Sequence, residues 1–403
     1  MNTDLPAQLN LAEKSSSNDA VSRKQVRERA VELAALEGHC AQDVSKSDWE
    51  QAKRELTGSS PETPKAGTGE IASAKPDSRK ALRTQLSNHP FLKGMESDHL
   101  AILARHAREV EFTTDQVVFR QNENAHEFFL VLHGSVVLEA YVARRENLAL
   151  QVVKAGDVLG WSWLFPPFVW NFQARALEPT RAIFIDGAGL LAACDKLQAF
   201  GLELMRRMAQ VVITRLEMAQ KRLMSFQKNA GKLPFLDEPI PDKITSRAVA
   251  QSLEEMLADH PFFKGMKPAH LGIVAGAAMK THMETDQFIF REGDPANRLY
   301  LIQKGRVALE APGTESTATR FEIIGAGDLL GWSWLFPPFY SHFAARALEP
   351  TEGIFLYGTR LREECDQNPE FGYDLMKRTV AVVIQRLQAT RGRLVEIANL
   401  EKI

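Results

Sequence analysis

The stretch GDVLGWSWLFPPFVWNFQARALEPT fills residues 156–180, and GDLLGWSWLFPPFYSHFAARALEPT fills residues 327–351. Between positions 155 and 182, 21 of 28 residues equal the residue 171 positions later, so the block is a duplication. The offset holds on either side of it. LSNHPFLKGM at 86–95 matches LADHPFFKGM at 257–266, HGSVVLEA at 133–140 matches KGRVALEA at 304–311, and Cys194 and Met205 match Cys365 and Met376. The two copies align without a gap from 86 to 224. A period this long is that of a duplicated domain and far exceeds the 20–50 residues of stacked repeats.

Each copy reads in one order. HPFLKGMESDHLAILARHA has the pattern of a short leading helix. VVFR, EFFLVLHG, VVLEAYV and LALQVV then show the β-branched and aromatic enrichment of short strands. Gly293-Asp294-Pro295 marks a turn in the second copy. The quoted block follows, then a strand pair, FQARALE and RAIFID, and each copy closes with a long helix. Its apolar seam is Met205, Met208, Val212, Leu216, Ala219 and Leu223 in copy one, and Met376, Thr379, Val383, Leu387, Thr390 and Leu394 in copy two. The expected fold class is mainly β with flanking helices (α+β): two antiparallel, jelly-roll-like β-rolls, each closed by a long C-terminal helix.

Outside the copies, residues 1–23 have the polar composition of a disordered tail. Residues 24–57 read as a small helix pair, with Val26, Ala30, Leu33 and Leu36 at helical spacing, a break at Gly38, and Trp49, Ala52 and Leu56 on a second helix. Residues 58–80 and 228–247 have linker composition, leaving domains at 81–227 and 248–403. The chain of 403 residues carries a net charge of -2, so bulk charge does not draw it to nucleic acid or anionic lipid. The N-terminus lacks an apolar signal core, and no apolar run is long enough for a membrane. Three scattered cysteines suit a reducing compartment, and a cytoplasmic location is expected.

The order of elements, Gly134 and Gly305 after the central strand, and GDVLGW and GDLLGW resemble the cyclic nucleotide-binding domain, with a Crp/Fnr-type phosphate-binding cassette. The resemblance covers both copies whole. The N-terminal helix pair resembles a small bacterial family of unknown function, with its Arg-rich first helix, Gly and late Trp-Ala-Leu face. In the cyclic nucleotide family, helix N-terminal N–H groups hold a phosphate, an acidic residue after the Gly takes a ribose hydroxyl, and an Arg forks onto the phosphate. Ligand binding then moves the long helix.

The resemblance implies candidate ligand residues Gly156, Asp157, Gly160, Trp161, Asn171 and Arg175 in domain 1, and Gly327, Asp328, Gly331, Trp332, His342 and Arg346 in domain 2. Alternatives stand beside these roles. Asp157 and Asp328 also suit N-caps of the following short helix. Arg175 and Arg346 also suit ion pairs across a sheet. The Trp and Phe of the block also suit a plug that fills the pocket and packs the long helix. The phosphate Arg falls near Trp170-Asn171 and Ser341-His342, and neither copy has an Arg there. His342 is opposite Asn171, so no matched metal ligand is visible, and three cysteines cannot hold an iron–sulfur cluster. No metal site and no catalytic residue set is expected.

The expectation is a non-catalytic regulatory sensor or adaptor, whose ligand is a cyclic nucleotide or another small molecule but not ordinary cyclic AMP. One alternative is a ligand-free interaction scaffold with aromatic-plugged pockets. A second is a genuine cyclic nucleotide effector acting on a partner protein. The long helices are the expected surface for a protein partner or self-association. With no recognition helix after the last seam position, direct DNA binding is not expected.

Overall fold

The structure, a computed structural model, describes residues 76–141, 147–230, 251–311, 319–335, 337 and 339–400. The expected tail and helix pair, residues 1–57, lie outside the described residues.

Copy one opens with α1 (Pro76–Asn88), a 3-10 turn at Pro90–Leu92 and α2 (Ser97–Arg105). Eight strands follow: β1 (Ala107–Phe112), β2 (Val117–Phe119), β3 (Glu127–His133), β4 (Ser135–Ala140), β5 (Leu148–Lys154), β6 (Val158–Leu159), β7 (Gln173–Ala176) and β8 (Thr180–Asp186). A 3-10 turn at Ser162–Leu164 lies between β6 and β7. The copy ends in α3 (Gly187–Lys196) and the long α4 (Gln198–Ala230). Helix thus extends at both ends into stretches whose composition reads as linker.

Copy two repeats the plan with α5 (Leu253–Asp259), α6 (Pro268–Gly276), and strands β9 (Ala278–Met283), β10 (Phe288–Phe290), β11 (Arg298–Lys304), β12 (Val307–Ala311), β13 (Thr319–Ile324), β14 (Leu329–Leu330), β15 (Ala344–Ala347) and β16 (Thr351–Tyr357). A 3-10 turn at Trp332–Leu335, α7 (Gly358–Gln367) and the long α8 (Pro369–Leu400) complete it. Each copy holds two four-stranded sheets, β1-β8-β3-β6 with β2-β7-β4-β5 and β9-β16-β11-β14 with β10-β15-β12-β13. All pairings are antiparallel. The expected fold class is the observed one.

Every seam residue of α4 and α8 named from the sequence is buried. Much of that burial is mutual. An apolar cluster runs from the leading turn and cassette of copy one through α4 and α8 to the same parts of copy two. Each roll has its own smaller cluster. The helices meet at their N-terminal ends and run in the same direction. A Cβ on Gly201 would lie 2.9 Å from the Tyr373 ring, and one on Gly372 would lie 2.9 Å from Leu202. Only glycine permits this approach at either position. Residue 201 corresponds to 372 and 202 to 373, so the crossing is pseudo-twofold. The ion pairs Arg206–Asp366 (2.5 Å) and Lys377–Asp195 (3.6 Å) repeat the symmetry.

The leading turn is fastened to the long helix in both copies. Arg207 donates to the carbonyls of Phe91 and Lys93 at 3.0 Å, and Arg378 donates to those of Phe262 and Lys264 at 3.0 and 2.9 Å. The repeated Trp-Ser-Trp gives both rings of each copy to the core: Trp161, Trp163, Trp332 and Trp334 are buried, and Trp163 stacks on Phe128 at 5.0 Å. Trp163→Ala is expected to cost about 3–5 kcal/mol of stability. A denaturant titration with a loss below 1 kcal/mol would contradict this placement.

His89 is buried, with Nδ1 accepting from the Phe91 N–H at 3.3 Å and Nε2 3.3 Å from the Val131 carbonyl. Burial lowers its pKa below the ordinary value, against the opposing pull of the Val131 hydrogen bond and Asp157. Below about pH 6.5 the unfolded chain therefore takes up a proton that the folded one resists. Stability falls with pH from there down to the folded value. His89→Asn is expected to flatten that part of the stability–pH curve, and an unchanged slope between pH 7 and 5 would refute it.

Candidate functional site

The cassette of each copy starts as a pinned turn. The Gly156 N–H donates to the Val131 carbonyl at 2.8 Å, and the Val131 N–H donates to the Asp157 carbonyl at 3.0 Å. The carboxylate of Asp157 accepts from the backbone N–H of Lys154 at 3.0 Å, and that of Asp328 accepts from Gly325 at 3.1 Å. Both therefore close their own turn. Asp157 does not cap the following 3-10 helix, whose N-cap position is Trp161, with no side-chain cap. In copy one the N-cap expectation fails because the turn and the helix are separate units, joined by the two-residue strand β6.

Arg175 and Arg346 do not reach the cassette. Arg175 donates to Glu139 at 3.2–3.3 Å and to Asp115 at 2.6 Å, across β7 and β4. Arg346 donates to the buried Glu310 at 2.7 and 3.1 Å. Burial raises the Glu139 pKa, but hydrogen bonds from Arg175, Gln173 and Asn147 outweigh it and hold the carboxyl below its ordinary value. These arginines have the cross-sheet ion-pair role, the alternative stated for them.

The cassette proper borders a small cavity in each copy. In copy one its polar and aromatic wall includes Trp161, Asn171, Phe172, Arg215, Gln388 and Arg391. In copy two the corresponding wall includes Trp332, His342, Phe343, Glu217 and Gln220. Subtracting 171 from 388 and 391 gives 217 and 220. Each cavity is thus roofed by two side chains from the other copy's long helix. Gly160, Trp161 and Asn171, and Gly331, Trp332 and His342, are the expected residues that line the cavities. Gly156, Asp157, Arg175, Gly327, Asp328 and Arg346 are not among the lining residues.

The cavities measure about 20 Å³ in copy one and 30 Å³ in copy two, enough for a water molecule and too small for a nucleotide. The Trp170 ring accounts for much of the first. It stacks on Phe119 at 3.8 Å, and its edge would lie 2.7 Å from a Cβ on Gly160. Trp170 stands near the place where the resemblance puts the phosphate Arg. In copy two Ser341 replaces it, and a second cavity of about 220 Å³ opens beside Phe290, Tyr300 and Gly331.

Guanidinium groups reach the cassette from the helices instead. Arg215 lies 4.7 Å from the Trp161 ring centroid, and Arg391 of the other copy lies 5.1 Å from the same centroid. Arg386, the counterpart of Arg215, lies 4.5 Å from Trp332. Arg215 donates to the Val158 carbonyl and Arg391 to Gln151 Oε1 at 2.5 Å. Each keeps a buried Nη1 with no hydrogen-bond partner among the described residues. Burial lowers the pKa of Arg215 to about 10, while Asp157 pulls the other way. Burial and the Arg215 charge lower that of Arg391 to about 9. Both are cations at neutral pH.

Reading along the cassette missed these arginines. A signal was present, since Arg215 and Arg386 are identical at the 171 offset and sit next to seam residues Leu216 and Leu387. Arg391 had no such signal, because its counterpart is Gln220. His342 is 3.1 Å from Glu217, whose pKa burial raises against His342 and Lys221. Cys194 and Cys365 are buried thiols, pushed up to about 12 by burial and unsuited to thiolate chemistry. Among the described residues no cluster of His, Cys, Asp and Glu could hold a metal ion, and no helix is long and apolar enough to cross a membrane.

The chain contains two cyclic nucleotide-binding domains: residues 109–196 and 280–368 each match the sequence model of that family. The CRP-like cAMP-activated global transcriptional regulator of Mycobacterium tuberculosis is 23% identical over 145 residues, which are 36% of this chain and 63% of that protein. The anaerobic regulatory protein of Bacillus subtilis is 29% identical over 107 residues, 26% of this chain and 44% of that one. The chain spans less than two thirds of the length of these curated relatives. Among solved structures, a cyclic nucleotide-binding domain from Methylobacillus flagellatus is 18% identical with a TM-score of 0.32, covering 35% of this chain and 80% of its own. The regulatory domain of Toxoplasma gondii PKA, crystallised with cAMP, is 13% identical with a TM-score of 0.27, covering 77% and 98%.

An unneutralised guanidinium is costly in the interior. Arg391→Met removes a buried donor whose unsatisfied N–H costs about 1–3 kcal/mol. The variant is expected to be more stable than the parent by a similar amount in a low-salt denaturant titration. A lower stability would show that Arg391 is already compensated in the folded chain.

Proposed function

We propose that this is a non-catalytic regulatory protein in which the state of each cassette cavity is transmitted through the α4–α8 pair. The observation that carries this reading is the crossed roof, with Gln388 and Arg391 over cavity one and Glu217 and Gln220 over cavity two. A ligand entering either cavity changes contacts with both helices at once. Differential contact of that kind is what shifts a conformational equilibrium. The ligand is a small molecule other than ordinary cyclic AMP, since Trp170-Asn171 and Ser341-His342 carry no phosphate Arg. The output is read by a protein partner on the faces of the helix pair outside the buried seam, in the cytoplasm and without direct contact to DNA.

A second reading has its own support. Cavities of 20 and 30 Å³ and the stacked Trp170 favour a scaffold whose pockets are filled by their own side chains.

The coupling can be tested without a ligand. Trp161→Ala empties cavity one beneath Arg391. Amide hydrogen exchange is expected to speed up in α8 around residues 386–394, in the other domain, as well as in the local cassette. Exchange that rises only in domain 1 would defeat the transmission reading and favour the scaffold.

A further inference from the structure

Equivalent positions lining the two cavities or beside them carry unequal charge. The strand position is Gln151 in domain 1 and Glu322 in domain 2, and the helix position is Arg in both, Arg215 and Arg386. The two roof positions are Gln388 and Arg391 over domain 1, and Glu217 and Gln220 over domain 2. Domain 1 therefore collects two guanidinium groups and two neutral amides. Domain 2 collects one guanidinium, two carboxylates and one amide.

The hydrogen bonds follow the charges. In domain 2 Glu322 lies 3.7 Å from Arg386 Nε and accepts from Gln220 Nε2 at 3.0 Å, while Glu217 lies 3.1 Å from His342. Arg215 and Arg386 both donate to a backbone carbonyl, of Val158 and Leu329, but only Arg386 has a carboxylate, Glu322, beside it, and the acceptor of Arg391 is the neutral Gln151 amide. Arg215 and Arg391 are 6% and 3% exposed, and the Nη1 of each, like that of Arg386 in domain 2, lacks a partner among the described residues, so domain 1 differs in having two such groups and no carboxylate beside them. Asp157 influences Arg215 from a distance, with its carboxylate committed to Lys154 N–H. Two buried cations over one indole ring leave a charge that no side chain facing the cavity offsets.

We propose that the domain 1 cavity is an anion site, which takes the phosphate or carboxylate group of a small ligand between Arg215 and Arg391, and that domain 2 supplies its own counter-charge and takes none. Such a group presents the oxygen lone pairs that the two free N–H donors lack. The 20 Å³ space admits one oxygen, so a whole oxyanion displaces the roof formed by α8. The site does not depend on the transmission reading, since anion affinity is measured without partner or output.

The test is the unfolding midpoint of the full chain in series of sodium phosphate, sodium acetate and sodium chloride at equal ionic strength. Phosphate or acetate is expected to raise the midpoint beyond chloride, and the stronger of the two names the group. Gln151→Glu, which carries the Glu322 carboxylate into domain 1, is expected to weaken that anion at least tenfold. Arg391→Gln, which copies Gln220, is expected to do the same and serves if the first variant does not fold. Glu322→Gln in domain 2 is expected to leave the affinity within twofold. Equal shifts in all three salts, or undiminished affinity in Gln151→Glu or Arg391→Gln, would overturn the assignment.

Discussion

The pairing of α4 with α8 is the contact on which the rest depends. Each long helix has an apolar seam buried in a cluster shared by both copies, and the helices meet where Gly201 and Gly372 let the backbones approach. Burial of these faces in a common core ties two rolls, each with its own small cluster, into one body. Met224, near the end of the first long helix, belongs to the cluster of the second roll. The seam that sequence offered as a surface for partners is thus occupied within the chain.

The same crossing builds the cavities. A helix that only closed its own roll would bring Arg215 to Trp161 and Arg386 to Trp332. Because the helices cross as a pseudo-dimer, each cavity also receives two residues from the opposite copy. Duplication has thus freed them to diverge. Two changes in the roof and one in the strand separate a cavity with more carboxylates than guanidinium groups from one with an excess of positive charge. Buried uncompensated charge weakens a fold, and proteins keep such strain mainly where it serves a function.

Much of the fold was legible along the chain. The 171-residue offset marked two copies, alternation and turn residues marked strands, and three- and four-residue spacing marked the long helices. These signals are local, and each reports the environment of consecutive residues. The cassette block was legible as a unit for the same reason. Gly160, Trp161 and Asn171 and their copies do line the cavities, because the strand and turn that hold them are continuous in sequence. The acidic and basic residues of the block had two readings each along the chain, and their partners come from elsewhere in the fold. Asp157 is spent on its own turn, and Arg175 on a carboxylate brought by another strand.

The sequence by itself determined the duplication, the β-roll class, the closing helices and the aromatic filling of the cassette, since periodicity and composition act over a few residues. Only the tertiary structure decided which charges face the cavities. Arg391 acts on a ring 230 positions earlier, and Glu322 accepts from a glutamine 102 positions earlier. That information lies in how two helices cross, which depends on the packing of whole faces.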